Sequence, residues 1–489
     1  MFIRSRQILP FSFILLFLFI TGCKKEIIEG EVPQEGPSFA VETGDSEVPY
    51  VIISTQGETI RNEPKVPAIL RLYSGKTLTK EINIGIEYRG STSFRLSEKK
   101  SFGVETWDEN GEDLKTTFFD FPEEEDWIIN GHIINTSNNS VIDRTLMYHY
   151  FGYELFRAMG NYASRTRFVE LQIDDEYQGV YVFMEKLKRD GDRIDIKKLE
   201  PEDTDSSSIT GGYILKIDKT AGSDLKLEQP LEYFEDNWDD DARYLPGFSF
   251  RSDYDINGEQ INFEAYGAPY HEKQYLETYF IYEYPDADDI TDMQKEYIQN
   301  YIYQFETALL HDDFDSDQRT YTDFIDLNSF VDFFIINEIC RNVDGYRLST
   351  YMYKDRGKKL KMGPIWDLNI GYDTGDRIPW DDWVINYNNY VNRDPWMLPF
   401  WWRRLMEDPP FRDALKERWT TFRSGPLSTF NLLNMVDETA GYLRENNAVE
   451  RNYEKWKITP EVDYDASIES LKEFLEFRAS WMDQTINSL

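Results

Sequence analysis

Asn342-Val-Asp-Gly-Tyr-Arg-Leu-Ser-Thr-Tyr-Met-Tyr-Lys354, followed shortly by Gly363-Pro-Ile-Trp-Asp-Leu-Asn-Ile-Gly371, is the stretch on which the reading of this chain turns. Asp344 comes just after an apolar helical run and Asp367 just after a strand-like run. Two carboxylates are thus placed on loops separated by a β-hairpin's worth of chain. Such a pair can converge on one pocket, one orienting a nucleophilic hydroxyl and the other holding a divalent cation across phosphate oxygens. Loop aspartates also serve simply as turn formers that cap local elements. The surrounding sequence has to separate the two readings.

Upstream, Tyr88-Arg-Gly-Ser-Thr-Ser-Phe-Arg-Leu-Ser-Glu-Lys-Lys-Ser-Phe-Gly-Val-Glu105 contains a Gly/Ser-rich turn whose N–H groups and hydroxyls suit an anion. Arg89, Arg95, Lys99 and Lys100 make it a basic island in a chain with 53 Lys+Arg against 90 Asp+Glu, a net charge of −37. That inversion suits a polyphosphate, and its plainer reading is a surface hairpin. The overall acidity argues against a passive nucleic-acid binder. It provides a solvated surface and would favour a basic acceptor segment.

Further stretches fall in order along the chain: Glu125-Asp-Trp-Ile-Ile, Tyr177-Gln-Gly-Val-Tyr-Val-Phe-Met-Glu-Lys186, Glu417-Arg-Trp419 and Arg451-Asn-Tyr-Glu-Lys-Trp456. With the Arg89–Ser93 turn and the two aspartate loops, they make the sequence resemble the CotH family, the spore-coat-protein-H-like atypical protein kinases. The resemblance runs from about Tyr50 to the end. It implies an α+β, atypical two-lobed kinase-like fold with a β-rich N-terminal lobe and a helical C-terminal lobe. It also implies ATP and Mg²⁺ or Mn²⁺ as ligands, and Ser/Thr hydroxyls of a protein as acceptor.

On that resemblance Arg89, Ser91 and Ser93 bind the nucleotide from the phosphate-covering turn, and Lys100 reaches the α/β-phosphates. Glu154 pairs with Lys100, and Lys186 faces the nucleotide at the hinge. Asp344 becomes the catalytic base, with Asp367 and Asn369 at the metal; the two aspartates lie 23 positions apart, near the kinase spacing. Two positions depart from the pattern. Ser349 stands where a kinase catalytic loop carries its metal-holding Asn, and Asn369 where the family commonly has a second Asp. A catalytically weak pseudokinase is therefore the alternative.

At 489 residues the chain suggests two or three lobes, and 40% hydrophobic with 16% aromatic residues excludes wholesale disorder. Residues 1–22 read as a lipoprotein signal peptide, with Arg4 and Arg6, an apolar run and Ile20-Thr21-Gly22-Cys23 as the lipobox. Cys23 is the lipidation site. Residues 23–47 read as an acidic flexible tether, 48–200 as the β-rich lobe, 201–290 as an insertion-rich segment and 291–489 as the helical lobe with the catalytic loops. The expected location is the bacterial cell envelope, held by the lipid anchor only. The outer membrane is favoured because Lys24 lacks the Asp that often marks inner-membrane retention. Beyond Cys23 only Cys340 remains, so a disulfide and a Cys-based zinc site are excluded. Helices are expected over 140–159, 291–310, 327–341, 410–422 and 468–487.

A competing reading starts from Ile378 to Trp402, where aromatics crowd with Asp and Asn. Exposed, they would form a glycan-binding platform, and Asp381 with Asp382 would suggest glycoside hydrolysis. Buried, they are core packing.

Overall fold

Alternating apolar runs in the first half give β1 (Tyr50–Ser54), β2 (Val66–Ser74), β3 (Thr77–Arg89), β4 (Ser101–Trp107) and β5 (Asp126–Gly131). A short ribbon, β6 (Ile134–Asn135) and β7 (Ser140–Val141), comes before β8 (Thr166–Ile173) and β9 (Glu176–Glu185). In the computed structural model these strands close a barrel in the order β1-β2-β3-β4-β5-β9-β8. Closure is made by β8 lying parallel to β1, with Tyr50 opposite Glu170 and Ile53 opposite Ile173. The period-2 pattern sends Val51, Ile53, Ile84, Ile86, Val169 and Leu171 inward. Along β9, Tyr181 and Phe183 join the barrel interior while Val180, Val182 and Met184 join the larger core outside it. That wall is buried on both faces, which is why β9 reads as an almost unbroken apolar run.

The structure describes residues 39–42, 46–221, 233, 237, 242–265 and 272–489. The signal segment and Cys23 lie outside them. The end of the expected tether belongs to the fold: the Phe39 ring packs 5.2 Å from that of Tyr50 and 5.0 Å from that of Tyr73. The Ala40 amide donates to Gln172 Oε1 at 2.8 Å.

A second sheet holds β10 (Tyr213–Ile217), β11 (Ser249–Arg251), β12 (Tyr279–Tyr284), β13 (Thr350–Lys354) and β14 (Leu360–Met362), in the order β11-β12-β10-β13-β14. The 201–290 segment is therefore more than insertion. Its strand β10 is central and buried at every position, and it pairs with β13, which follows the first aspartate loop.

Helices pack around this sheet. Thr291 and Gln294 form a capping box that starts the Asp292–Leu310 helix. The Leu327–Ile339 helix is buried from Phe330 to Ile339 and delivers the Asp344 loop. The helix expected from Ser140 begins instead at Tyr148. Asp143 accepts from the Thr145 and Tyr148 amides at 2.9 Å each, so it caps a turn that separates β7 from the helix.

The C-terminal motif residues tie the tail to the barrel. Arg451 donates to both carboxylate oxygens of buried Glu170, at 2.8 and 2.6 Å. Trp456 Nε1 donates to the Gln178 carbonyl at 2.7 Å. The aromatic stretch is largely core: Trp383, Tyr387, Trp401 and Trp402 are buried, and Asp382 accepts from the Trp383 amide and Asn386 within its own turn. The exposed-platform reading is thereby corrected. Cys340 is fully buried and unpaired, as its apolar helix predicts. Among the described residues no helix is long and apolar enough to cross a membrane.

Candidate active site

One cleft gathers residues from almost every part of the chain. The barrel gives Arg89, Gly90, Ser91, Thr92, Ser93 and Asn130; the Tyr148–Ala158 helix gives His149 and Tyr153; the end of β9 leads to Lys186 and Leu187. The second sheet adds Lys216, Asp218, Lys219 and Glu283, and the two loops add Asp344, Ser349, Trp366, Asp367 and Asn369. The expected residues Arg89, Ser91, Ser93, Lys186, Asp344, Asp367 and Asn369 are thus brought together.

Two are not. Lys100 Nζ donates to the Phe94 carbonyl at 2.5 Å and sits over the Phe94 ring, lining a different hollow on the barrel. Glu154 pairs with Arg157 and lies 3.4 Å from Thr166 Oγ1. The expected Lys100–Glu154 pair does not form, because helical spacing turns another face to the cleft. His149 and Tyr153 are one turn apart on that face, and Gly152 between them lets Leu368 and Tyr372 approach. A Cβ at Gly152 would come within 2.9 Å of Leu368 Cδ2.

The Arg89–Ser93 turn depends on Gly90. Its φ is +87°, and a Cβ there would lie 2.2 Å from Ser93 Oγ. Arg89 is stacked 5.7 Å over the Trp366 ring, joining the turn to the second aspartate loop. Lys219 Nζ donates to Thr92 Oγ1 at 2.8 Å.

Asp344 sits in a tight turn closed by the Gly345 amide donating to the Asn342 carbonyl at 2.9 Å. Its carboxylate is ion-paired with the buried Arg347 and has Arg377 at 3.9 Å. Asp367 has φ +58°, and its amide donates to Tyr153 Oη at 3.2 Å. Loss of bulk solvent, then Asp218 and Asp344, push the Asp367 carboxyl up to about 7, against the pull of Arg89 and Lys219. Its side chain is still 45% exposed towards the cleft, so solvent screens part of this effect. Burial likewise raises Asp218, and Lys216 is the main opposing charge. His149, pushed down to about 4 by burial and then by Arg89, is a neutral imidazole at physiological pH.

Asp218, Lys216 and His149 went unread in the sequence. The signal for the first two was the charged Lys216-Ile-Asp218-Lys219 end of an otherwise apolar strand. Lys216 forms a buried ion pair with Glu283 at 2.7 Å on the cleft wall.

The donors fit a hard divalent cation. Asp367, Asn369, Asp218 and Asp344 offer only oxygen from their side-chain acceptors, and the carboxylate repulsion that adds to burial in raising Asp367 is what a cation relieves. The tightest acidic trio among the described residues, Glu124, Glu125 and Asp126, is elsewhere, and all three carboxylates are ion-paired with Lys188 at 2.7 to 3.0 Å.

A basic, hydroxyl-rich turn thus faces loop carboxylates across one cleft. The family model described as CotH kinase protein matches residues 86–482, and the chain belongs to that family. Membership suggests a kinase-like function. No curated protein matches the chain significantly.

Proposed function

We propose that this protein transfers the γ-phosphate of ATP to Ser/Thr hydroxyls of a protein acceptor, with Mg²⁺ or Mn²⁺ bound. The observation that carries the reading is the convergence of Asp344 and Asp367 on one cleft with the Arg89–Ser93 turn. In this reading the barrel acts as the N-terminal lobe of a kinase-like pair and the helical half as the other. The Arg89–Ser93 turn cradles phosphates through its N–H groups, and Lys219 and Lys186 add positive charge. The Lys216–Glu283 pair takes the role first assigned to Lys100 and Glu154.

Asp367 and Asn369 would hold the cation, which when bound neutralises charge on the phosphate oxygens. Asp344, fixed by Arg347, accepts the proton of the acceptor hydroxyl. A catalytically weak pseudokinase is the second reading, favoured by Ser349 and Asn369 at two metal-side positions. The envelope location, with a lipid on Cys23, is part of the proposal and is supported by the Ile20–Cys23 lipobox.

Thermal denaturation with ATP, with and without Mn²⁺, tests the binding step, and mass spectrometry of the same samples reads phosphate on hydroxyls. A metal-dependent rise in Tm that Asp367→Ala abolishes is expected. Absence of any rise at millimolar ATP refutes nucleotide binding. A rise without phosphate on any hydroxyl selects the pseudokinase reading.

A further inference from the structure

The catalytic loop carries Ser349 where a kinase has a metal-holding Asn, yet the cleft is not short of a donor at that point. Asp218, from the end of β10, lies with its Oδ2 3.5 Å from Ser349 Oγ. The adjacent Lys219 amide donates to Asp218 Oδ1 at 2.8 Å, which fixes the carboxylate and leaves Oδ2 turned towards Ser349. The β10–β13 pairing holds this arrangement rigidly, since Ile217 is in register with Thr350 next to Ser349.

A second feature of the cleft points to an occupant. His149 is only 5% exposed, lines the cleft, and its Nδ1 has no hydrogen-bond partner among the described residues. Its Nε2 faces Asp367 Oδ1 at 3.8 Å, beyond hydrogen-bond reach. A buried imidazole left unsatisfied beside a carboxylate is costly unless water or a ligand shell completes it.

We infer that Asp218 is a cation-holding residue of this cleft and supplies the oxygen that Ser349 does not. The inference rests on the phosphoryl-transfer reading above and adds a ligand to it. It also makes the metal side of the site a joint product of two distant segments, the β10 end and the Asp367 loop. An Asn-to-Ser change in the loop then becomes an exchange of donors. A serine hydroxyl is a poor ligand for a hard cation, whereas a carboxylate brings both oxygen and charge.

The test is calorimetric titration of the full chain with Mn²⁺ in the presence of ATP. Asp218→Asn keeps the shape and an acceptor for the Lys219 amide, and weakens Mn²⁺ binding by about tenfold or more. Adding Ser349→Asn to that variant restores part of the loss. Ser349→Asn alone tightens Mn²⁺, an arm that stands even if Asp218→Asn lowers stability. Unchanged affinity in Asp218→Asn, or a loss that Ser349→Asn fails to offset, overturns the inference. Wild-type chain that binds no Mn²⁺ with ATP would overturn the phosphoryl-transfer reading itself, an outcome distinct from loss confined to the variants.

Discussion

Lys99 Nζ donates to Asn452 Oδ1 at 2.7 Å, joining a fully buried barrel lysine to the C-terminal tail. The same Oδ1 accepts from the Val180 amide at 3.0 Å, so one tail side chain satisfies two buried donors. Asn452→Leu strands the Val180 amide and leaves Lys99 Nζ with the Val180 carbonyl as its remaining acceptor. The expected cost is about 3 kcal/mol, read as a lower urea midpoint with an unchanged slope. A change within error would mean the tail merely rests on the barrel.

The helix bearing the Asp344 loop is held to the last helix by a buried ion pair. Arg478 reaches Glu338 Oε2 at 2.9 Å and also donates to the carbonyls of Glu338, Trp380 and Asp382. Glu338 accepts in turn from Tyr346 Oη at 3.1 Å, just past Asp344. Arg478→Met leaves the carboxylate buried and unpaired, and is expected to cost about 3–5 kcal/mol. Glu338→Gln in the same chain recovers part of that loss, and equal stability of single and double variants would refute the pairing.

Glu306 gives a pH signature. It is buried, accepts from Ser252 Oγ at 2.8 Å and Trp401 Nε1 at 2.9 Å, and burial pushes its carboxyl up to about 8. A carboxyl raised in the folded state is held protonated there while the unfolded chain has released its proton. The associated stability is present below the unfolded value near 4.5 and is lost as pH rises towards about 8. The upper slope is about 1.4 kcal/mol per pH unit. Glu306→Gln keeps both contacts, since its amide donates to Ser252 while its oxygen accepts from Trp401. Its advantage over wild type therefore grows between pH 5 and pH 8, and a pH-independent difference in Tm would contradict a neutral Glu306.

The relocated Lys–Glu pair separates sequence expectation from structure directly. Lys216→Ala removes a cleft cation beside Glu283 and is expected to reduce the ATP-induced rise in Tm. Glu154→Ala, whose side chain faces Arg157 outside the cleft, leaves that rise intact. The reverse pattern would restore the original assignment.

Local signals carried well. The β-rich character of the first half and the Asp344 and Asp367 loops were legible because each rests on a short pattern, period-2 alternation or a turn motif, whereas closure into a barrel was not. What failed needed a third dimension. Choosing Glu154 over His149 and Tyr153 was a choice of helix face, and the deciding contact is Gly152 against Leu368, far off in sequence. Asp218 went unread because β10, although legible as a strand, meets β13 and the Asp344 loop only through tertiary pairing. The Trp383–Trp402 aromatics have a composition equally suited to a surface or a core, and only their burial decides.

The closed barrel bears on how these molecules behave when crowded. Strand edges are where sheets of neighbouring chains join, and closure leaves the seven barrel strands paired on both sides. The edges of the second sheet are β11 and β14, three residues each, and the β6–β7 ribbon is shorter still. Among the described residues there is thus little free strand edge from which an intermolecular sheet could propagate. Crowding then favours mutual repulsion between strongly negative neighbours over fibrillar association.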